Sequence, residues 1–426
     1  MTPQPAWFGQ PRGLTILFLT NMWETFSYYG MRALLVFYMT KQLLIGQERA
    51  SLIYGTYTAC AYFTPIVGGV IADRLLGKRR AIVIGGSVMA LGHFLMAFEP
   101  LFYVALATIA LGNGLFLPSL PSQIDDLYAP GDPRVGWAYN VYYVGVNIGG
   151  FLAPLVCGIL GETYGWHYGF GAAGVGMVAG VLIYVWGQRY LPAQVRHPPV
   201  EHGDAPKPRF GRATLLLLVS VALSVTVFRG AYEQVGNTLP LWADTGVDKQ
   251  AGAFAIPMTW FISLNPLFVM LMTPFLLAWW RRRAERRGRE TPPTRRMAAG
   301  ALIVAAAYLL IAAVAAVWPT AAWPWLVVFF AVFTLGELFI LPTGLGLFAR
   351  LAPKGLGATT VAAWYLAIFA GSLFAGLVGT LWSRMGHPLY FVLLAALAVL
   401  AAAMLRAIEP LAQHASGDRE TPTDSA

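Results

Sequence analysis

A chain of 426 residues in which 57% are hydrophobic, before its 45 glycines are counted, carries only 12% charged residues. Soluble domains hold about 45–50% apolar residues, glycine included, and about 25% charged ones. This chain has too little polar surface to cover a globule in water and must be solvated by lipid. The balance of 29 basic and 20 acidic residues gives +9, which in a soluble protein hints at nucleic acid and in a membrane chain has to be read loop by loop. Cys60 and Cys157 both lie in apolar stretches, which argues against a disulfide framework.

Taken in chain order, the apolar runs are long enough to span a bilayer as helices of about 20 residues. The first 13 residues lack the charged start and small-residue cleavage site of a signal peptide, so the first run is expected to stay as a helix. The runs cover 14–40, 51–71, 81–98, 101–122, 136–161 and 166–187. After a polar stretch they resume at 213–240, 252–280, 297–317, 325–349, 358–382 and 388–406. β alternation is absent, which excludes a barrel. The expectation is an all-α integral membrane protein: a six-helix bundle over 1–188, a cytoplasmic linker over 189–212, a second six-helix bundle over 213–408 and a disordered cytoplasmic tail over 409–426.

Orientation follows from the lysine and arginine bias of the loops. With both ends on one side, 23 of the 29 basic residues fall on that side and 4 on the other, Lys41, Arg49, Lys249 and Arg384. Both termini are therefore expected in the cytoplasm, and the +9 reads as a topology signal. The Arg281–Arg296 run is read the same way, as a loop with incidental contact to anionic lipid and not as a nucleic-acid site.

Between the second and third runs stands Gly69-Val-Ile-Ala-Asp73-Arg74-Leu-Leu-Gly77-Lys78-Arg79-Arg80. Its glycines permit close helix approach and a tight turn; Asp73 can accept from helix N-termini, and the basic cluster holds the loop at the cytoplasmic face. This loop resembles the signature of the major facilitator superfamily, which implies two pseudo-symmetric six-helix halves around a central cavity. A degenerate echo, Leu277-Ala-Trp-Trp-Arg281 onward to Gly288, sits after the eighth run, as halves of shared ancestry require.

Five ionisable residues fall inside predicted helices: Glu24 and Arg32, Arg229 and Glu233, and Glu337, with His93 a lesser candidate that reads as structural. Each costs about 2.5–3.5 kcal/mol on insertion scales and needs a partner or a wet cavity. A register-fixing salt bridge accounts for one such residue. Five, spread over both halves, predict a polar cavity between them.

The run Asn21-Met-Trp-Glu24-Thr25-Phe26-Ser-Tyr28-Tyr29-Gly30-Met-Arg32 is similar to the first helix of the proton-dependent oligopeptide transporters, the POT/PTR family. The likeness continues through Gly131-Asp132-Pro133-Arg134, Tyr142 to Gly149, Gly169 to Met177, Tyr232-Glu233-Gln234, Trp260 to Pro266, Glu337 to Gly344, Leu351 to Lys354, and Trp364. The resemblance implies that Arg32 binds a substrate carboxylate, for which its planar fork is suited, and that Glu337 takes the substrate ammonium. It further implies that Tyr28, Tyr29, Asn147 and Asn265 hydrogen-bond a peptide backbone and that Trp364 walls a side-chain pocket. For the aromatic residues, plain packing is the competing reading. No metal or other cofactor is expected; a proton gradient is the implied driving force, and the chain is expected to act as a monomer.

The chain departs from the family where protons are coupled. In the family's Glu-x-x-Glu-Arg motif the first acid is Asn21 and the arginine is Thr25, leaving Glu24 alone. Leu117 stands before Pro118 where the family has lysine, and Arg229 stands where the family usually has tryptophan. Arg229 and Glu233 are four residues apart and share one helix face. A cation beside Glu233 favours its ionised form and makes it a poorer proton carrier, so Glu24 is the best remaining protonation site. Family members often insert two helices between the halves; 24 residues cannot span twice.

These residues predict a secondary transporter of di- or tripeptides or peptide-like compounds, working by alternating access with altered or weakened proton coupling. The alternative is a facilitator or exporter of a non-peptide amphiphile, and a more remote one is a peptide-binding membrane sensor. An enzyme is not expected, because no zinc, nucleophile-elbow or phosphate-loop motif is present.

Overall fold

The computed structural model describes residues 6–7, 9–129, 131–192, 210–288, 290–353 and 356–412. Most of the 189–212 linker, most of the 409–426 tail, Arg289 and Lys354 lie outside the described residues.

Each predicted run is largely helical; the run expected from 252 becomes helical only at Met258, after a short hairpin that pairs Gln250–Ala251 with Phe254–Ala255. The first six helices are α1 (Arg12–Phe37, continued by a π-helical turn Tyr38–Gln42), α2 (Gln47–Leu76), α3 (Lys78–Leu95), α4 (Glu99–Leu127), α5 (Arg134–Tyr164) and α6 (Trp166–Tyr190). The next six are α7 (Arg212–Gly246), α8 (Met258–Arg287), α9 (Pro293–Val317), α10 (Pro324–Leu351), α11 (Thr359–Arg384) and α12 (His387–Ala407). The strands among the described residues are two-residue pairings, such as Val247–Asp248 beside Ala321–Ala322. In lipid a helix satisfies its own backbone groups, which is why long apolar runs take this form. Ten helices, α2 and α4–α12, are long and apolar enough to cross a membrane by length and composition. Outside that set, α1 is diluted by Asn21, Glu24, Thr25, Ser27 and Arg32, and α3 opens on Lys78, Arg79 and Arg80.

The chain divides into two compact units. One comprises Met1–Gly46, Cys60–Val200 and Lys249–Met270; the other comprises Gln47–Ala59, Glu201–Asp248 and Leu271–Ala426. A division at the 189–212 linker follows chain order, whereas these units share out α2 and α8. Small residues explain where those two helices go. In the second unit a Cβ on Gly55 of α2 would stand 2.5 Å from the Gly376 Cα of α11. In the first unit Gly158 of α5 leaves no room for a side chain beside Thr259 of α8. Close backbone approach of this kind is how helices associate when lipid supplies no hydrophobic drive.

Within the first unit α1 packs on α5 and α6, and α3 on α4 and α6. Leu17, Met89, Phe116, Met177 and Tyr184 form part of its core. Within the second unit α7 packs on α11 and α12, and α9 on α10 and α12. Its core is aromatic, with Tyr308 against Phe329 (5.5 Å between ring centroids) and Phe391 (6.4 Å).

The loop after α2 turns at Gly77, whose φ of +79° is the left-handed region that favours glycine. Its echo after α8 turns at Gly288 with φ +63°, so the repeat seen in sequence is a repeat of backbone geometry. α8 itself runs to Arg287, beyond the expected end at 280, because a run of arginines with an Arg281–Glu285 pair continues the helix out of the apolar segment.

Candidate functional site

In the first unit the predicted residues cluster on α1. Tyr28 and Tyr29 meet edge to face, with ring centroids 5.5 Å apart. The Arg32 guanidinium lies 6.0 Å from the Tyr29 ring centroid, and all three residues are half-buried. The ring thus presents its negative face toward the cation, an arrangement that orients a guanidinium. Asn147 on α5 is buried and donates one amide N–H to the Tyr143 carbonyl of its own helix (2.9 Å), which leaves its second N–H and its side-chain oxygen to meet another molecule. Asn265 and Pro266 follow a break in α8 at Ser263, and Pro266 faces Gly150 of α5 across a distance that would be 3.6 Å to a Cβ there.

Glu24 sits one turn earlier on α1, only 4% exposed. Its one hydrogen bond among the described residues is from Thr25 Oγ1, at 3.3 Å. The glycines of the 145–150 and 169–180 runs create this seclusion. Gly149 has no space for a Cβ beside the Met22 carbonyl, and Gly176 lies against Phe26. Thr20 and Ser27, on the same face of α1 as Glu24, are buried and their hydroxyls have no hydrogen-bond partner among the described residues. His93 on α3 is likewise fully buried, and neither ring nitrogen has a partner among the described residues.

In the second unit the charges are differently housed. Arg229 (2% exposed) and Glu233 (1%) form a buried ion pair one turn apart on α7, as their spacing predicts. Gly371 of α11 lies against the Arg229 stem, and Arg229 Nη2 lies 3.4 Å from Ser372 Oγ. The α-helix ends at Tyr232, and Glu233–Val235 form a tighter 3₁₀ turn before the helix resumes at Thr238. Glu337 on α10 is half-buried and accepts from the Tyr232 hydroxyl at 2.8 Å.

Trp364 is 3% exposed. It packs on Phe348 with ring centroids 5.3 Å apart and fills the space at Gly344, which makes it a core residue of the second unit. These contacts are the packing that the competing reading expects of an aromatic residue.

The signature loop works through other atoms than expected. Asp73 and Arg74 are exposed, and Asp73 makes no hydrogen bond among the described residues, so it does not accept from a helix N-terminus. The clamp is basic. Lys78 donates to the Ser122 carbonyl and Asp126 (2.9 Å each), and Arg79 donates to the Leu191 (2.9 Å) and Pro192 (2.6 Å) carbonyls beyond α6. The closest helix approach falls at Gly68, against Gly114 of α4, while Gly69 has ordinary contact room beside Pro118. At the 131–134 motif Arg134 forks onto Asp132, and its side-chain and then its backbone hydrogen bond hold that carboxyl below the usual carboxylate range.

Three polar features escape a reading of the sequence alone. The Gln234 amide donates to the Gly230 (2.9 Å) and Ala375 (2.8 Å) carbonyls and accepts from Asn237 (3.2 Å) and Thr238 (3.0 Å). The chain of bonds continues through Ser51 to Asn237 (3.1 Å) and from Gln47 to Gly379 (2.9 Å). At the mouth of the same seam Arg384 forks onto Glu48 at 2.9 Å to each oxygen. In the first unit the Glu162 carboxylate accepts from the Met258 (3.1 Å) and Thr259 (3.0 Å) backbone N–H groups and from Thr259 Oγ1 (2.6 Å), tying the end of α5 to the start of α8. The signal available in sequence was the oddity of Gln, Asn and Glu next to apolar runs; their partners are remote in the chain.

The model of the POT family matches residues 79–202 and 211–392. A protein named Peptide transporter YePEPT from Yersinia enterocolitica is 30% identical over 88% of this chain and 88% of its own. A di-/tripeptide transporter of Lactococcus lactis subsp. cremoris is 28% identical over 85% and 88%. Among solved structures, a mutant of a peptide transporter POT in complex with alafosfalin superposes with a TM-score of 0.88, at 28% identity over 97% of each chain.

Proposed function

The chain belongs to the POT family of the major facilitator superfamily, and we propose that it carries di- or tripeptides or peptide-like compounds across the cytoplasmic membrane by alternating access. The twelve apolar runs give twelve crossings in this reading, and the loop charges place both termini in the cytoplasm. Arg32 takes the substrate carboxylate and Glu337 the ammonium, while Tyr28, Tyr29, Asn147 and Asn265 meet the peptide backbone. The observation that carries this reading is the exposure of the two charges. Arg32 and Glu337 stay half-buried on membrane helices whereas Arg229 and Glu233 are sealed into a pair. An ionisable residue that stays partly exposed on a membrane helix marks a functional site. The relatives named for peptides and the neighbour bound to alafosfalin support the same substrate class.

Proton coupling is altered. Asn21, Thr25 and Leu117 remove ionisable groups, and Arg229 neutralises Glu233, so Glu24 is the remaining proton site and the proton gradient the driving force. Dipeptide uptake into proteoliposomes, with and without an inward proton gradient, tests this. The expected result is modest gradient-driven accumulation in the wild type and none in Glu24→Gln, with counterflow exchange kept in both. Strong accumulation retained in Glu24→Gln overturns the coupling assignment. The same substitutions favour a second reading, a facilitator or exporter of a non-peptide amphiphile, which requires counterflow with that compound and none with peptides.

A further inference from the structure

Between Glu337 and the Arg229–Glu233 pair stands a tyrosine. Tyr232 touches both. Its hydroxyl donates to Glu337 Oε1 at 2.8 Å, and its ring centroid lies 5.0 Å from the Arg229 guanidinium carbon. The ring is held on two sides. Phe333, one turn before Glu337 on α10, stacks on it at 5.4 Å and 24°, and Phe228, one turn before it on α7, lies at 5.8 Å. The backbone beneath is pinned as well, because Tyr308 donates to the Ala231 carbonyl at 2.6 Å.

We propose that Tyr232 is a positioning residue that sets the discrimination for substrates with a free amino group, by holding Glu337 and tying its orientation to the Arg229–Glu233 pair. This rests on the reading that Glu337 receives the substrate ammonium. A hydroxyl donating to a carboxylate is a charge-assisted bond with a narrow geometry. It fixes which way the second carboxylate oxygen points, and a fixed acceptor loses less entropy when an ammonium arrives. The guanidinium over the ring face is attracted by the ring's quadrupole. Its placement there depends on Glu233 holding the other end of the same cation. Removing the charge on Glu233 lets Arg229 leave the ring, and the hydroxyl loses one of the contacts that aims it. The α-helix ends at Tyr232 and a 3₁₀ turn begins at Glu233, so the two residues sit where the backbone of α7 tightens.

The test compares a dipeptide with its N-acetylated form as inhibitors of labelled dipeptide uptake in proteoliposomes. Tyr232→Phe removes the hydroxyl and keeps the ring. Its melting temperature is expected to stay near wild type while the preference for the free amino group falls about tenfold, the value of one charge-assisted bond. Glu233→Gln is expected to lower the same preference in the wild-type background and to have no further effect when combined with Tyr232→Phe. If Tyr232→Phe melts early, Phe333→Leu, which loosens the ring and leaves the hydroxyl, must lower the preference instead. Unchanged preference in a folded Tyr232→Phe protein, or in Phe333→Leu when that substitute is needed, overturns the proposal, as do additive effects of Tyr232→Phe and Glu233→Gln. A wild-type protein that shows no inhibition by either dipeptide form sinks the peptide reading itself, a distinct result.

Discussion

Glu24 and Glu233 are the same residue type, both nearly fully buried on membrane helices, yet their surroundings are opposite. Glu233 is bonded to Arg229 within its own helix and stands beside a satisfied amide network built on Gln234. Glu24 has a threonine from its own helix and is otherwise enclosed by glycine-lined helices. A buried carboxylate is tolerable when it is paired or when it carries a proton. The second unit uses the first solution, and we assign the second to the first unit. The difference teaches that burial alone does not set how a carboxyl is housed; a counter-charge within the helix, which Glu233 has and Glu24 lacks among the described residues, separates the two.

The largest expected break in this contrast comes from Arg229→Met. It removes the counter-charge of buried Glu233 and is expected to cost about 3–5 kcal/mol, read as a large drop in melting temperature in detergent. Replacing both partners by apolar residues, Arg229→Met with Glu233→Leu, is expected to restore most of that loss, and failure to do so would show that the pair does more than neutralise itself.

Next in size is Gly149→Ala, which drives a methyl against the Met22 carbonyl beside Glu24. Overpacking of this kind costs about 1–3 kcal/mol. A wild-type melting temperature would mean that the enclosure around Glu24 is loose. Smaller still, Glu24→Gln is expected to change the melting temperature little or to raise it, because a neutral group replaces one that has no ionic partner among the described residues. A large destabilisation would place a fixed cation beside Glu24 and end the contrast with Glu233. The smallest effect belongs to Glu48→Gln. Its fork with Arg384 is solvent-exposed, so stability within error of wild type is expected, and a clear loss would promote this pair to a clasp of α2 on α11.

The sequence made much of the fold legible. Apolar runs of helical length predict helices that the structure contains, and the paired glycine turns at Gly77 and Gly288 follow from the repeat. The Arg229–Glu233 pair was legible for the same reason, since both partners lie on one helix at a spacing of four. Asp73, Trp364 and Gly69 show where such reading stops. Each was assigned from a motif, and each has an environment set by residues far away: open solvent for Asp73, Gly344 and Phe348 for Trp364, and Pro118 for Gly69, with Gly68 taking the close contact.

By itself, then, the sequence determined what depends on composition and local spacing: lipid as solvent, helices as the form, and ion pairs within one helix. The tertiary structure alone decided which polar group received a partner from another helix. Gln234 finds Ala375, Tyr232 finds Glu337 and Glu162 finds Thr259 across 141, 105 and 97 residues of chain. Hydrogen bonds are short-ranged and directional, so a separation in sequence carries no information about them until packing has brought the helices together.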